Sequence, residues 1–263
     1  MPEGHTIHCL ARDQQELVGH RLSVTSPQGR FAADAVRLEG RVLAGVEAAG
    51  KHLLLHFGDA GHLHVHLGMQ GKFLRDTTGR APLRQARVRL EAQEQRVAWE
   101  LVAPSACQLL DDDQVGALLS RLGPDPLRPD ADGAEARRRL SSEERGIGEV
   151  LLDQEVVAGA GNVLRAEVLA ACGVHPRRPG RSLSEAEVAC IWDTLSAMMA
   201  RAVEEGRILP VPTAPGVDRT SLLESDLRFV YKQDRCRRCG TLVATETVGG
   251  RVSYACPRCQ PLD

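Results

Sequence analysis

Apolar and polar residues follow two different periods along the chain. Between residues 3 and 18 apolar side chains recur at helical spacing, which predicts an N-terminal helix closed by Gly19. Short apolar runs separated by glycine- and proline-containing turns come next, and they predict an antiparallel β-sandwich or barrel. The predicted strands cover residues 21–25, 35–38, 42–46, 52–57, 62–67, 72–74, 88–90, 97–101 and 106–110.

The second half of the chain has a helical period. Residues 148–155 and 162–172 predict two short helices on either side of a glycine-rich turn. Ser184 and Glu187 form a capping box, which predicts that a longer helix begins there and ends near Gly206. The aspartates at 111–113 predict a further, solvated helix start.

Length and punctuation predict the domain organisation. A chain of 263 residues has room for two domains, or for one large domain with an appendage. The sequence Leu-Gly-Pro-Asp-Pro-Leu at 122–127 is typical of a linker, and residues 209–225, with three prolines, are predicted to form a loop. We therefore predict three domains, covering residues 1–121, 122–226 and 227–263.

Composition and charge narrow the class of protein. Apolar residues make up 43% of the chain and aromatic residues only 3%, so we expect a core packed mainly from aliphatic side chains. The sequence has no apolar run near 18 residues and no charged-then-apolar leader, so we expect neither a membrane span nor a secretion signal. A net charge of −2 argues against a uniformly basic surface, but residues 227–263 hold seven basic and three acidic residues. A local basic patch is therefore expected near the C-terminus.

The eight cysteines fall into two groups. Four of them have the spacing C-x2-C-x16-C-x2-C, which is typical of a four-thiolate zinc site with a hairpin between the two pairs. They are Cys236, Cys239, Cys256 and Cys259. A pair of disulfides is the alternative, and it fits poorly with a chain that has no secretion signal. The scattered cysteines, interpreted as buried free thiols, are Cys9, Cys107, Cys172 and Cys190.

The chain begins Met1-Pro2-Glu3. Removal of Met1 would expose the secondary amine of Pro2, with a carboxylate one residue away. Roughly a tenth of a chain-terminal amine is neutral at pH 7, far more than of a lysine, and an iminium formed by proline is necessarily cationic. An ordinary start followed by a helix is the alternative interpretation.

Six motifs in order along the chain resemble the formamidopyrimidine-DNA glycosylase and endonuclease VIII family of base-excision repair enzymes. They are Met-Pro-Glu-Gly-His-Thr at 1–6, Gly-Lys-His-Leu-Leu at 50–54, His-Leu-Gly-Met at 66–69, the linker at 122–127, Ala-Gly-Ala-Gly-Asn-Val at 158–163 with Glu167, and Gly-Gly-Arg at 249–251 leading into Cys-Pro-Arg-Cys-Gln at 256–260. The resemblance implies a catalytic β-sandwich, a helix–two-turn–helix DNA-binding domain and a zinc-finger hairpin with one structural Zn²⁺.

The resemblance also implies catalytic roles. Pro2 would attack C1′ of the damaged nucleotide, and Glu3 would act as general acid and then as proton shuttle. β,δ-elimination from the iminium would cut the strand and leave a one-nucleotide gap. Lys51 and Arg251, counted with the catalytic residues, would hold DNA phosphates.

The same resemblance implies further contacts with DNA. Asn162 would be both the N-cap of its helix and a phosphate ligand. Met69, with Gln70 beside it, would fill the space left by the extruded base. The implied partner is double-stranded DNA with oxidised bases or abasic sites, bound by a monomer in the bacterial cytoplasm.

Two features bear on the branch of the family. The stretch at 103–109 lacks the Arg–Phe pair of the 8-oxoguanine branch, and Gly4 stands where that branch has leucine. Both favour the endonuclease VIII branch, of an actinobacterial type, and oxidised pyrimidines as substrates. An 8-oxoguanine glycosylase and a non-catalytic binder of damaged DNA are the alternatives.

The run His62-Leu63-His64-Val65-His66 is interpreted as a polar sheet face rather than a metal site, with His66 near the DNA.

Overall fold

The computed structural model describes residues 2–211, 217 and 221–262. Met1, and with it the expected trimming, lies outside the described residues, as do residues 212–216 and 218–220 of the predicted loop. The chain divides into two compact units, Met1–Arg121 and Leu122–Asp263. A separate domain beginning at residue 227 stays a prediction.

The first unit is an antiparallel β-sandwich with short helices. Its elements are α1 (Gly4–Asp13), β1 (Ser23–Thr25), α2 (Ala32–Leu38), β2 (Gly45–Ala49), β3 (His52–His56), β4 (His62–His66), β5 (Lys72–Asp76), β6 (Ala86–Ala92), β7 (Val97–Val102), β8 (Ala106–Leu110) and α3 (Asp112–Ser120). One sheet has the strand order β1-β6-β7-β5 and the other β2-β3-β4-β8. Alternate apolar residues of both sheets share one core, as the two-residue period requires.

Buried charges lie on the first sheet as well. Arg89 of β6 donates to Glu100 of β7 at 3.2 Å and to Asp76 of β5 at 3.4 Å. Arg80 also donates to Glu100, which is fully buried. Burying charged groups is tolerated when they are paired and hydrogen-bonded, and here the partners come from β7 and from β5, one strand further along the same sheet.

Two predicted strands of the first unit are wrong in part or whole. Residues 35–38 form the end of helix α2, where Ala35 and Leu38 are buried at helical spacing. A four-residue apolar run does not separate a strand from a buried helix. Val42 makes only an isolated bridge to Arg21, and β2 starts at Gly45. The helix start predicted at 111–113 is confirmed, because Asp111 caps α3 in a capping box.

The second unit is helical and ends in a strand hairpin. Its elements are α4 (Gly133–Ser142), α5 (Ile147–Val150), α6 (Asn162–Cys172), α7 (Glu185–Glu205), β9 (Ala244–Val248) and β10 (Arg251–Ala255). Apolar faces of α4, α6 and α7 share a core with buried residues of the C-terminal segment. The sandwich, the helical region and the hairpin confirm the predicted fold class.

Four sequence-based expectations for this unit need correction or addition. The helix predicted at 148–155 is only the single turn α5, and the arginine-rich α4 was not predicted. Gly161, not Asn162, is the N-cap residue of α6. Cys172 and Cys190 are not separate thiols, because they are joined in a disulfide. The capping box at Ser184 is confirmed.

None of the described helices combines the length and the apolar character that crossing a membrane requires.

Candidate functional site

Pro2 and Glu3 stand at the entrance of helix α1. Pro2 is partly exposed, whereas Glu3 is fully buried. The Glu3 backbone is extended, and its carbonyl accepts the amide N–H of Thr6 at 2.9 Å. Its carboxylate makes no capping hydrogen bond to the helix, so the side chain is not used as an N-cap. Burial lowers the pKa of the neighbouring His5 to about 4, which keeps that ring neutral at pH 7.

Lys51 lies on the two-residue turn that joins β2 to β3. Ala49 and His52 are the last paired residues before the turn. Gly50 occupies the first turn position with φ +57°, a conformation that favours glycine. The tight turn fixes the backbone from which the partly exposed Lys51 side chain extends.

Histidines line one face of β3 and β4. Nδ1 of His52 lies 2.9 Å from Nε2 of His64, and the His52 and His66 rings have centroids 5.1 Å apart. Burial, with repulsion from His64, His66, Arg121 and Lys51, lowers the pKa of His52 to about 3. Burial, with repulsion from His66, lowers the pKa of His64 to about 4. These rings are therefore neutral at pH 7. Among the described residues no histidine belongs to a group of side chains able to hold a metal ion.

Met69 and Gln70 are exposed on the connection between β4 and β5. Met69 is 71% exposed, which is unusual for a large apolar side chain. The base of this connection is held by His66, whose Nδ1 accepts the Gly68 amide at 3.1 Å and lies 2.8 Å from the Ser105 hydroxyl. A Cβ atom at Gly68 would lie 2.8 Å from Ser105 Cβ, so only glycine fits there without a shift.

Helix α6 and the C-terminal hairpin are tied together by buried polar side chains. Asn162 donates to the Val252 carbonyl at 3.1 Å. Arg165 is 1% exposed and donates to the carbonyls of Val248 at 3.0 Å and Val252 at 2.8 Å, and also to Asn162 Oδ1. Asn162 and the hairpin that carries Arg251 are therefore brought together, with Arg165 as the common link.

The hairpin presents Arg251 immediately after its turn. Gly249 and Gly250 both have positive φ, +58° and +71°, as a tight two-residue hairpin turn requires. Arg251 opens β10 and pairs with Val248, and its side chain is exposed.

A second buried charge on α6 holds the chain segment that leads into the zinc ligands and the C-terminal hairpin. Glu167 is fully buried on α6 and accepts the amides of Phe229, Val230 and Tyr231 at 2.6, 3.1 and 2.7 Å. Burial raises the pKa of Glu167, and the three hydrogen bonds oppose that rise. The carboxylate thus acts as an anchor for a stretch of chain that has no regular secondary structure.

The four cysteines of the C-terminal module fit a tetrahedral zinc ion. Their sulfur atoms all lie within 4.8 Å of one another. Zn–S bonds of about 2.3 Å place the sulfurs of a tetrahedron about 3.8 Å apart. The observed separations of 3.4 Å between Cys239 and Cys256, and 4.0 Å between Cys236 and Cys259, bracket that value. Four thiolates complete the coordination, so the zinc is structural.

Sequence reasoning quoted Glu167 only as part of a motif and did not single out Arg165. A charged residue within an apolar helical stretch is the signal that could have found both, because such residues are buried only when they are paired.

The site residues predicted in the first unit lie on separate elements of that unit. Pro2 precedes α1, Lys51 is on the β2–β3 turn and Met69 is on the β4–β5 connection.

Comparison with known proteins decides the family. Residues 1–101 match the formamidopyrimidine-DNA glycosylase N-terminal domain, residues 122–211 the H2TH domain of the same enzymes, and residues 233–262 a zinc finger found in FPG and IleRS. The chain belongs to the formamidopyrimidine-DNA glycosylase and endonuclease VIII family. It is a DNA glycosylase of base excision repair with a C-terminal zinc finger.

Individual relatives cover the whole chain. "Endonuclease 8 1" of Mycobacterium tuberculosis is 40% identical over 99% of this chain and 100% of its own length. "Formamidopyrimidine-DNA glycosylase" of Stutzerimonas stutzeri is 31% identical with the same coverage. The structure of Lactococcus lactis Fpg with DNA containing N7-benzyl-Fapy-dG is similar with a TM-score of 0.82, 25% identity, and coverage of 99% of this chain and 100% of that one.

Proposed function

We propose that this glycosylase removes oxidised pyrimidines from double-stranded DNA and cuts the strand by β,δ-elimination, with Pro2 as the nucleophile. The observation that carries the mechanism is the start of the chain. A partly exposed Pro2 is followed directly by the fully buried Glu3 at the entrance of helix α1. A non-catalytic binder of damaged DNA needs neither feature.

The proposed reaction uses the chain's own residues. The Pro2 amine attacks C1′ of the damaged nucleotide, and the base leaves with the proton of the amine. Glu3 then protonates the sugar ring oxygen, so the C1′–O4′ bond breaks and the ring opens to an iminium. The resulting iminium acidifies the C2′ proton, so the 3′ phosphate is eliminated. A second elimination releases the 5′ phosphate and leaves a one-nucleotide gap. The reaction draws nothing from the zinc, whose four positions are filled by thiolates.

DNA contacts complete the proposal. Lys51 and Arg251 neutralise phosphates near the lesion, and the start of α6 offers backbone N–H groups to another. Both polar ends of the Asn162 side chain are engaged by the hairpin and Arg165, so its contribution is mainly to position that helix start. Met69 and Gln70 fill the gap left by the extruded base, which offsets part of the cost of extrusion. We expect the enzyme to act as a monomer.

The preference for pyrimidines rests on the loop between β7 and β8. It has only the residues Ala103, Pro104 and Ser105, so it offers no arginine or phenylalanine to complete a wedge beside Met69. The higher identity to "Endonuclease 8 1" than to "Formamidopyrimidine-DNA glycosylase" supports the same branch. Excision of 8-oxoguanine or formamidopyrimidine is the second candidate, supported by the likeness to Fpg bound to Fapy-dG DNA.

Borohydride trapping on a duplex with an abasic site tests the nucleophile, because only an iminium is reduced to a permanent link. Pro2→Gly keeps an amine, now primary, so the trapped complex should decrease without vanishing. An N-terminal tag that blocks removal of Met1 should abolish base release, trapping and cutting. Glu3→Gln is the matched control, expected to lose base excision and keep DNA affinity. Full trapping by the tagged protein would exclude Pro2.

Two duplexes test the substrate class. One contains thymine glycol and the other contains 8-oxoguanine opposite cytosine, in the same flanking sequence. We expect kcat/KM for thymine glycol to be higher by roughly tenfold or more. The reverse ratio would favour the 8-oxoguanine branch and leave the Pro2 mechanism intact.

A further inference from the structure

Two cysteines outside the zinc site are joined between two helices. Cys172 is the last residue of α6, and Cys190 lies in the second turn of α7. Their Cα atoms are 5.9 Å apart, a separation that a disulfide spans without movement of the backbone. Cys9 and Cys107 are not part of a disulfide.

The cysteine pair lies where the zinc module, the segment around the ligands Cys236 to Cys259, contacts the end of α6. Arg238, between the first two zinc ligands, donates to the carbonyls of Ala170 at 2.9 Å and Ala171 at 3.0 Å. Gln260, next to the last zinc ligand, donates to the Val174 carbonyl at 2.9 Å. Cys172 lies between these two contacts along the chain, so a bond from Cys172 to α7 fixes the segment that both contacts use.

The surroundings of the pair suit thiol chemistry. Cys172 and Cys190 are each partly exposed, so a small oxidant can reach them. The Thr194 hydroxyl lies 3.5 Å from Cys172 Sγ and 3.7 Å from Cys190 Sγ, close enough to donate a hydrogen bond to either thiolate. Burial raises the pKa of Cys107 to about 12 instead, which makes that thiol unreactive.

We propose that Cys172 and Cys190 form a reversible oxidation site, in which hydrogen peroxide converts two thiols into a disulfide where the zinc module contacts α6. One thiolate attacks the peroxide O–O bond, becomes a sulfenic acid and releases hydroxide. The second thiolate displaces hydroxide from that sulfur, and the S–S bond forms. Two thiols lose two electrons and two protons, and one peroxide becomes two waters. A dithiol reductant reverses the reaction.

The bond should stabilise the helical unit. It closes a chain segment of 18 residues, which restricts the unfolded state. The expected rise in the midpoint of thermal unfolding is roughly 5–10 °C for the oxidised over the reduced form. Trp192 on α7 reports this unit alone when Trp99, the other tryptophan, is replaced by phenylalanine.

Differential alkylation of the full-length, zinc-loaded protein tests the site. The reduced protein is treated with increasing hydrogen peroxide and then alkylated with N-ethylmaleimide in denaturant, so that buried thiols also react. It is then reduced and alkylated again with iodoacetamide before mass spectrometry. We expect Cys172 and Cys190 to acquire the second label together, at lower peroxide than the four zinc ligands. Cys107 serves as the internal control and should keep the first label. Dithiothreitol under native conditions should restore the first label at both positions.

Variants separate the cross-link from general oxidation. Cys172→Ser should make the unfolding midpoint insensitive to peroxide, whereas Cys9→Ser should retain the full shift. The proposal fails if Cys172 and Cys190 are oxidised independently of each other or only after zinc is released. It fails equally if oxidised and reduced protein unfold at the same temperature.

Discussion

The two units bury charged side chains in different ways. In the sandwich, Arg89 bridges three strands that the sheet already holds together. In the helical unit, Arg165 and Glu167 bind backbone groups of segments more than 60 residues away along the chain. A strand ladder therefore fixes the Lys51 turn by its own hydrogen bonds, whereas the position of Arg251 depends on a few side chains and on zinc. Single substitutions of buried polar residues should therefore disturb the position of Arg251 in the helical unit far more than that of Lys51 in the sandwich.

The largest effect is expected from loss of the zinc. Zinc binding to such sites is worth on the order of 10–16 kcal/mol in small peptides, more than the sparse apolar side chains of this module can replace. Cys236→Ser should therefore release zinc, unfold the hairpin and abolish DNA cutting, while the sandwich stays folded. Elemental analysis measures the zinc, and Trp99 fluorescence in a Trp192→Phe background reports the sandwich alone. Activity that survives in this variant would show that zinc does not place Arg251, and Cys9→Ser is the control.

A matched pair of arginines tests the comparison directly. Arg165→Ala removes one hydrogen-bond donor from each of three carbonyls of the second unit, whereas Arg89→Ala breaks a network inside one sheet. Each should lower the free energy of unfolding of its unit by about 3 kcal/mol. Only Arg165→Ala should also weaken DNA binding, by roughly tenfold, because the hairpin is no longer aligned with α6. Equal losses of affinity in the two variants would contradict the comparison.

Acid should weaken the sandwich through its histidines. His64 is 4% exposed, and its pKa is about 4 in the folded state against 6.5 in the unfolded chain. Between these values the unfolded chain binds more protons, so stability is complete above pH 6.5 and decreases as the pH falls towards 4. At pH 5 the loss from His64 is about 2 kcal/mol.

His64→Gln removes this titration and keeps a side chain able to hydrogen-bond with His52. Denaturant unfolding at pH 7 and pH 5, followed by Trp99 fluorescence in a Trp192→Phe background, measures the difference. The variant should lose less stability between the two pH values than the parent protein does. An identical loss in both would mean that His64 does not report the pH dependence.

The smallest effect concerns a single phosphate contact. Arg251→Ala should reduce the slope of log K for DNA binding against log salt concentration by about one, since each phosphate contact releases roughly one counterion. Arg258 is an exposed arginine of the same zinc module, and Arg258→Ala removes the same charge away from the hairpin turn. Fluorescence anisotropy at several salt concentrations measures the slope. If the two variants gave the same slope, Arg251 would act only through net charge.

Local signals determined the elements whose stability is local. The strands at 52–57 and 62–67 and the capping boxes at Asp111 and Ser184 were predicted because alternation and capping involve residues within a few positions. The zinc ligands were predicted for the same reason, because each pair is separated by two residues. The strand predicted at 35–38 is wrong because so short an apolar run fits both the two-residue period of a strand and the 3.6-residue period of a helix.

Tertiary structure decided what depends on distant partners. No sequence spacing relates Arg165 to Val248 and Val252, more than 80 residues further along, or Cys172 to Cys190 on another helix. The same holds for Asn162, whose amide binds Val252 instead of capping its own helix. Periodicity assigns a residue to a face, but burial of that face against another segment decides which groups meet. Sequence alone therefore determined the family motifs and the zinc site, and folding decided which buried side chains hold them in place.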